Sequence, residues 1–211
     1  MRRAGVALGV AVLCHGCGTS GSVRPADDAA ADAETVLEII VSPAAQAAYD
    51  RALEAMDAGD LVEAELRLEQ FVLEYPDFPG AYVNLAIIYE RDGRLEDAHS
   101  VLDRALELEP AHASANNRQG MLLRKQGMFS QAEQAYLRAI ESDPTYALAH
   151  HNLGVLLDLY LYRPAEALNH YRRYQELLPE PDAAVGRWII DLERRVGVVE
   201  EAPRVVQEDG V

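Results

Sequence analysis

A 34-residue period constrains this chain more than any other feature of its sequence. Gly59, Gly93 and Gly127 stand 34 residues apart. Ala64, Ala98 and Ala132 keep the same interval, and Ala167 follows after 35. Pro76, Pro110 and Pro144 also repeat at 34, with Pro179 a further 35 residues on. Three residue types held in one phase mark an array of a single supersecondary unit, stacked because no copy can bury its apolar face alone. The phase divides residues 42–181 into four units, 45–78, 79–112, 113–146 and 147–181. Each is long enough for two helices. The glycines fit the left-handed residue that ends a first helix, and the prolines stop the second helix and turn the chain onward. Ser42-Pro43 reads as N-cap and first-turn proline of the opening helix. Ser130-Gln131-Ala132-Glu133 has the spacing of a capping box for the second helix of the third unit.

Residues inside the units carry a resemblance. The second has Tyr82, Leu85-Ala86 and Tyr89, then Ala98, Leu102, Ala105 and Pro110. The third has Gly120, Ala132, Tyr136, Ala139 and Pro144, with Gln119 in place of Leu. The fourth has Leu153-Gly154, Ala167, Tyr171 and Pro179, and the first is degenerate, with Ala52, Ala64, Leu68 and Pro76. Over roughly 150 of the 211 residues the chain resembles the tetratricopeptide repeat (TPR) family. That resemblance implies an all-α fold, a right-handed α-solenoid of four TPR helix pairs plus a C-terminal capping helix. Small residues at 86, 120 and 154, and alanines at 98, 132 and 167, are expected where paired helices cross.

The fourth unit departs from the pattern by one inserted residue within Asp158 to Pro164, which predicts a longer first helix or a looser turn. Tyr174 stands where a small residue is usual, and its ring is expected to pack on the segment after the last repeat. In that segment, 182–196, the residues Val185, Trp188, Ile189, Leu192 and Val196 recur at helical spacing. This is the expected capping helix, with Asp191, Arg194 and Arg195 on its outer face. Residues 197–211 read as an acidic flexible tail.

The N-terminus reads as an address. Arg2 and Arg3 precede the apolar run Ala4–Leu13, too short to span a bilayer, and residues 1–16 fit a bacterial export signal. Leu13-Cys14-His15-Gly16-Cys17 resembles a lipobox, which makes Cys17 the expected lipidation site, although Cys14 stands where Leu is usual. Gly18 lacks the acidic residue associated with inner-membrane retention, so the resemblance implies an outer-membrane lipoprotein facing the periplasm; the alternative is a soluble periplasmic or secreted protein. Residues 17–41 read as a flexible acidic tether. Within it, Thr35–Val41 is an apolar run that could pack on the first repeat.

The family resemblance also implies where binding occurs, along a concave groove lined by the first helix of each repeat. Carried over position by position, the groove residues are Tyr49, Asn84, Asn117, Arg118, Arg124, Lys125, His151 and Asn152. Asn84 and Asn152 share one position, where an amide can both donate to and accept from a peptide backbone. Arg118, Arg124 and Lys125 gather positive charge in a chain of net charge −16, which suits a segment bearing acidic groups or a C-terminal carboxylate. The alternative for these residues is an ordinary solvated helix surface. Tyr160, Tyr162, Tyr171 and Tyr174 are either core or an aromatic patch. His150 and His151 are adjacent and must face different ways, one into packing and one into the groove.

Several function classes are excluded or disfavoured. The acidic balance opposes nucleic-acid binding. Both cysteines precede residue 20, so the repeats can hold neither a disulfide nor a cysteine-based zinc site. The histidines lack metal-ligand spacing, and no nucleophile elbow, phosphate loop or dinucleotide fingerprint is present. No cofactor is expected. The expectation is a non-enzymatic protein-binding scaffold, monomeric in isolation and touching membrane only through a lipid anchor. Small TPR lipoproteins of this layout resemble the pilotins of type IV pilus secretins, one of several envelope assemblies such a scaffold could serve, cell-wall synthesis among them. The alternative is a soluble TPR subunit of an enzyme or transport complex.

Overall fold

The computed structural model describes residues 42–197, and over these the chain is nine helices with no strand. They are α1 (Pro43–Asp57), α2 (Leu61–Glu74), α3 (Pro79–Arg91), α4 (Leu95–Leu108), α5 (Ala113–Lys125), α6 (Phe129–Ser142), α7 (Ala147–Leu159), α8 (Pro164–Leu177) and α9 (Ala183–Arg195). Cys17, the export segment, the tether with Thr35–Val41 and the tail beyond 197 lie outside the described residues. Each odd-numbered helix pairs with the even-numbered one after it, each pair stacks on the next, and α9 packs on α8. The fold is the TPR-type all-α solenoid with its terminal helix.

The local signals act as their chemistry requires. Ser42 caps α1, its hydroxyl accepting from the Ala45 amide at 3.1 Å, with Pro43 in the first turn. Gly59, Gly93 and Gly127 all adopt φ between 74° and 77°, the left-handed region where an L side chain is disfavoured. Each lets the next residue's N–H reach back to close the helix: Asp60 to Ala55, Arg94 to Tyr89, Met128 to Leu123. In the fourth repeat α7 has the same 13 residues as α3 and α5, so the inserted residue lies in the turn. Arg163 there donates to Leu157 O, the equivalent carbonyl, and the left-handed role falls to Tyr162 at φ 54°.

The expected capping box at Ser130 does not form. The turn through Gly127 delivers the chain early, so α6 begins at Phe129 behind Met128, and Ser130 sits inside the first turn. Glu133 instead accepts from Arg163 at 2.6 Å. Arg94 does the same two repeats earlier, reaching Glu65 on α2 at 2.5 Å. These two arginines tie one second helix to the next.

Helix crossings are set by paired side-chain sizes. A Cβ on Gly120 would lie 2.6 Å from Tyr136 Cε1, and one on Gly154 2.7 Å from Tyr171 Cε1. In the first two repeats the same register positions hold Ala52 with Leu68 and Ala86 with Leu102, all fully buried. A ring on one helix therefore goes with glycine on the other, and leucine with alanine. The core forms two clusters, one over α1–α5 up to Leu122 and one from Leu123 to α9, with α5 contributing to both.

A further regularity is visible only in three dimensions. The Tyr82 hydroxyl donates to Pro76 O at 2.9 Å, Asn116 Nδ2 to Pro110 O at 2.9 Å, and His150 Nε2 to Pro144 O at 3.2 Å. Three chemically unlike residues in one register position satisfy the carbonyl of the turn proline six residues back.

Candidate functional site

The first helices of successive pairs approach one another, α3 touching α5 and α5 touching α7, more closely than any two second helices do. The inner wall is therefore α1, α3, α5 and α7. The expected groove residues lie on these helices, and the structure joins most of them in cross-repeat contacts. Asn84 Nδ2 donates to Tyr49 Oη at 2.7 Å, and Asn152 Nδ2 donates to Asn117 Oδ1 at 2.9 Å. Each bond links the fifth residue of one repeat unit to the sixth residue of the next, 35 residues apart. Tyr49 is partly buried, and burial raises its hydroxyl pKa. Asn117 is almost fully buried, so it supports Asn152 from beneath and presents little to solvent.

Between these two bonds the ladder is interrupted. Val83 is buried at position 5 of α3 and can accept nothing, so Arg118 at position 6 of α5 turns to Glu90 at 3.5 Å. Lys125 reaches the same carboxylate at 3.1 Å. The Glu90 side chain is only 6% exposed and lies between the two cations. The positive cluster of α5 thus contains one buried anion, absent from the charge pattern of α5 alone and contributed by α3. Arg124 lies over the Tyr160 ring, its guanidinium carbon 5.8 Å from the centroid. The Nε atoms of Arg118 and Arg124 and the Tyr136 hydroxyl are buried and without hydrogen-bond partners among the described residues. Burial raises the Tyr136 hydroxyl pKa, partly offset by Arg124 nearby.

At the α9 end the groove wall becomes aromatic. The His151 ring lies 5.0 Å from Tyr174, 6.2 Å from Tyr171 and 6.0 Å from Trp188. Trp188 also stacks at a tilt on Tyr171, 5.5 Å away. Trp188 is 42% exposed, so it borders the groove, while Val185 and Leu192 hold α9 to the core. Tyr174 is buried and points its hydroxyl at Asp182, 3.5 Å away, the N-cap of α9. Arg195, expected on the outer face, pairs at 2.8 Å with Asp158 of α7 and fastens the end of α9. The four tyrosines divide: Tyr171 and Tyr174 are core, Tyr160 and Tyr162 are exposed.

The adjacent histidines part as their opposite directions require. His150 is buried and meets His170 on α8, Nδ1 to Nδ1 at 3.1 Å. A carbonyl can only accept, so His150 Nε2 carries the proton toward Pro144 O. Its Nδ1 is then the acceptor, and His170 Nδ1–H the donor. Burial lowers the pKa of both rings; Arg173 lowers that of His150 further, and His150 that of His170. Among the described residues no three His, Cys, Asp or Glu side chains converge to hold a metal. Glu90 stands at a groove position of the family pattern and Trp188 on the expected capping helix, but the pairing of Glu90 with the α5 cations and the place of Trp188 on the groove rim are not visible in the sequence.

Comparison with known families gives matches to two tetratricopeptide repeat models, one over residues 49–113 and 93–147, the other over 135–174. Comparison with curated proteins returns no match. Among solved structures, Pseudomonas aeruginosa pilF superposes with a TM-score of 0.65 at 22% identity, over 74% of this chain and 70% of that one. MamA from Desulfovibrio magneticus RS-1 gives 0.60 at 20% identity, over 74% and 88%. A tetratricopeptide repeat protein from Parabacteroides merdae gives 0.58 at 21%, over 74% and 62%. At these identities the likeness is one of fold.

Proposed function

The chain belongs to the tetratricopeptide repeat family, and from that premise we propose that it is a non-enzymatic scaffold of the bacterial cell envelope. It holds a segment of a protein partner in the groove of α1, α3, α5 and α7, and so assists assembly of an envelope complex of the pilus, secretion or cell-wall kind. Cys17 carries the lipid that tethers it to the outer membrane, with the repeats in the periplasm. The observation that carries the binding reading is the cluster on α5. Arg118 and Lys125 share one carboxylate, Glu90, and Arg124 stands beside them over Tyr160, so the cluster keeps a net positive charge. An acidic side chain or C-terminal carboxylate of the partner meets that charge, as charge-assisted hydrogen bonds of this type are short and strong. The Tyr49–Asn84 and Asn117–Asn152 bonds hold the neighbouring amides in place for the partner's backbone.

Two experiments test this. Arg118→Glu with Arg124→Glu should weaken partner capture from envelope extracts at least ~10-fold while leaving helical circular dichroism unchanged. Undiminished capture would remove the groove as the binding site. Palmitate should label the wild type and not Cys17→Ser; an unlabelled wild type would remove the anchor.

A further inference from the structure

Three positions on the outer face of α2 carry large apolar side chains that nothing among the described residues covers. Val62, Leu66 and Leu73 are 82%, 60% and 84% exposed. Their spacing of four and seven sets them on one stripe of the helix, about 16 Å long at 1.5 Å per residue. The array itself does not demand this. In the same register α4 has Glu96, Ser100 and Glu107, α6 has Ser130, Gln134 and Glu141, and α8 has Ala165, Asn169 and Glu176. Three sister helices thus place polar or small side chains where α2 turns three aliphatic ones to water. Leaving Val and Leu side chains in water forgoes the stabilisation that burial gives, and a contiguous apolar strip marks an interaction surface.

The charges along the stripe decide what fits it. Four glutamates and one arginine give α2 a net charge of −3. Glu65 and Glu69 flank one side, Glu63 and Glu74 the other. Arg67 is engaged with Glu63 at 2.6 Å and Arg94 with Glu65 at 2.5 Å. Glu69 and Glu74 receive only tyrosine hydroxyls, from Tyr89 and Tyr75, each at 3.0 Å. Among the described residues these two carboxylates meet no cation. A second copy of α2 laid antiparallel on the first would bring Glu69 against its own counterpart, and like charges so placed repel.

We infer that the outer face of α2 docks an amphipathic helix of a protein partner, apolar along one stripe and basic along its edges. The partner's leucine-like side chains enter between Val62, Leu66 and Leu73, and its Lys or Arg side chains meet Glu69 and Glu74. The surface lies on the second helix of the first pair and does not depend on the groove.

The test uses the full chain and a labelled helical peptide with leucines at i, i+4, i+7 and i+11 and lysines on the flanking positions. A matched peptide with glutamates in place of the lysines is the control. The lysine peptide should bind at least ~10-fold more tightly, with affinity falling as salt rises. Leu66→Glu with Leu73→Glu should abolish that binding, while Arg118→Glu with Arg124→Glu should leave it unchanged, which separates this surface from the groove. Glu69→Lys with Glu74→Lys should reverse the preference toward the glutamate peptide, a readout that survives if the leucine variants misfold. Equal binding of the two peptides, or binding retained by the leucine variant, overturns the inference. So does a dimer, seen by light scattering, that the leucine substitutions dissolve, since a second copy would then occupy the face.

Discussion

The Gly120–Tyr136 and Gly154–Tyr171 crossings are determined by a single methyl group. Adding it at Gly120 puts a carbon 2.6 Å from a buried ring edge, and overpacking of this kind costs about 1–3 kcal/mol, against about 1 kcal/mol gained from helix propensity. Gly120→Ala should therefore be neutral to destabilising alone. Combined with Tyr136→Leu, which recreates the Ala86–Leu102 pairing, it should show a favourable coupling of about 1 kcal/mol or more in a double-mutant cycle read by urea unfolding. Additive losses would mean the two positions do not set each other's size. Tyr162 offers the converse case. Its left-handed backbone costs an L residue about 1–2 kcal/mol, its side chain is exposed, and Tyr162→Gly should not lower the melting temperature although it removes a whole ring. The glycines and the small residues at the crossings were legible as letters at a period, but their pairing with a ring or a leucine on the facing helix was not. The residue that would replace glycine in the lengthened turn was not, because an inserted residue can be absorbed by several backbone paths.

At the scale of the element, α7 and α8 are joined by a contact that titrates. Both His150 and His170 are held below the ordinary value of 6.5, chiefly by burial. A lowered folded-state pKa means the unfolded chain binds more protons in the window below 6.5, so this contribution is fully present above that pH and is lost as pH falls through it. The charges facing the pair are Arg173 toward His150 and Glu166, Arg163 and Glu133 toward His170. His150→Asn with His170→Ala installs the Asn116–Ala135 combination of the preceding repeat, which keeps a donor for Pro144 O and removes both titrating rings. Its stability should change less than that of the wild type between about pH 7 and pH 5, measured by denaturant unfolding at each pH. A parallel decline in both proteins would assign the pH dependence elsewhere. The pair could not be read from the sequence because its partners lie 20 residues apart on two helices whose relative rotation only packing decides.

For the whole molecule, two core clusters meeting at α5 make stability a sum of neighbouring interfaces. Leu192→Asp would bury an unpaired charge in the α8–α9 interface. It should speed hydrogen exchange in α7, α8 and α9 while leaving α1 to α4 protected. Uniform loss of protection would mean the array unfolds as one unit. In an acidic chain α5 carries three cations and no carboxylate of its own, and α3 answers with Glu90 from the adjacent repeat. That contact tempers the charge of the groove without abolishing it.

The period, its glycines and prolines, the crossing residues and the end of the array at α9 are determined by the sequence alone. Each is a local or nearest-register demand: a left-handed backbone, a missing N–H, a methyl-sized gap, an apolar face to be covered. Only the tertiary structure decided that Glu90 lies among the α5 cations and that Asn117 sits beneath Asn152. It also placed Trp188 on the groove rim and left Val62, Leu66 and Leu73 exposed. Those outcomes depend on how far one helix pair rotates over the next. That angle comes from the summed packing of many side chains, and no short stretch of sequence encodes it.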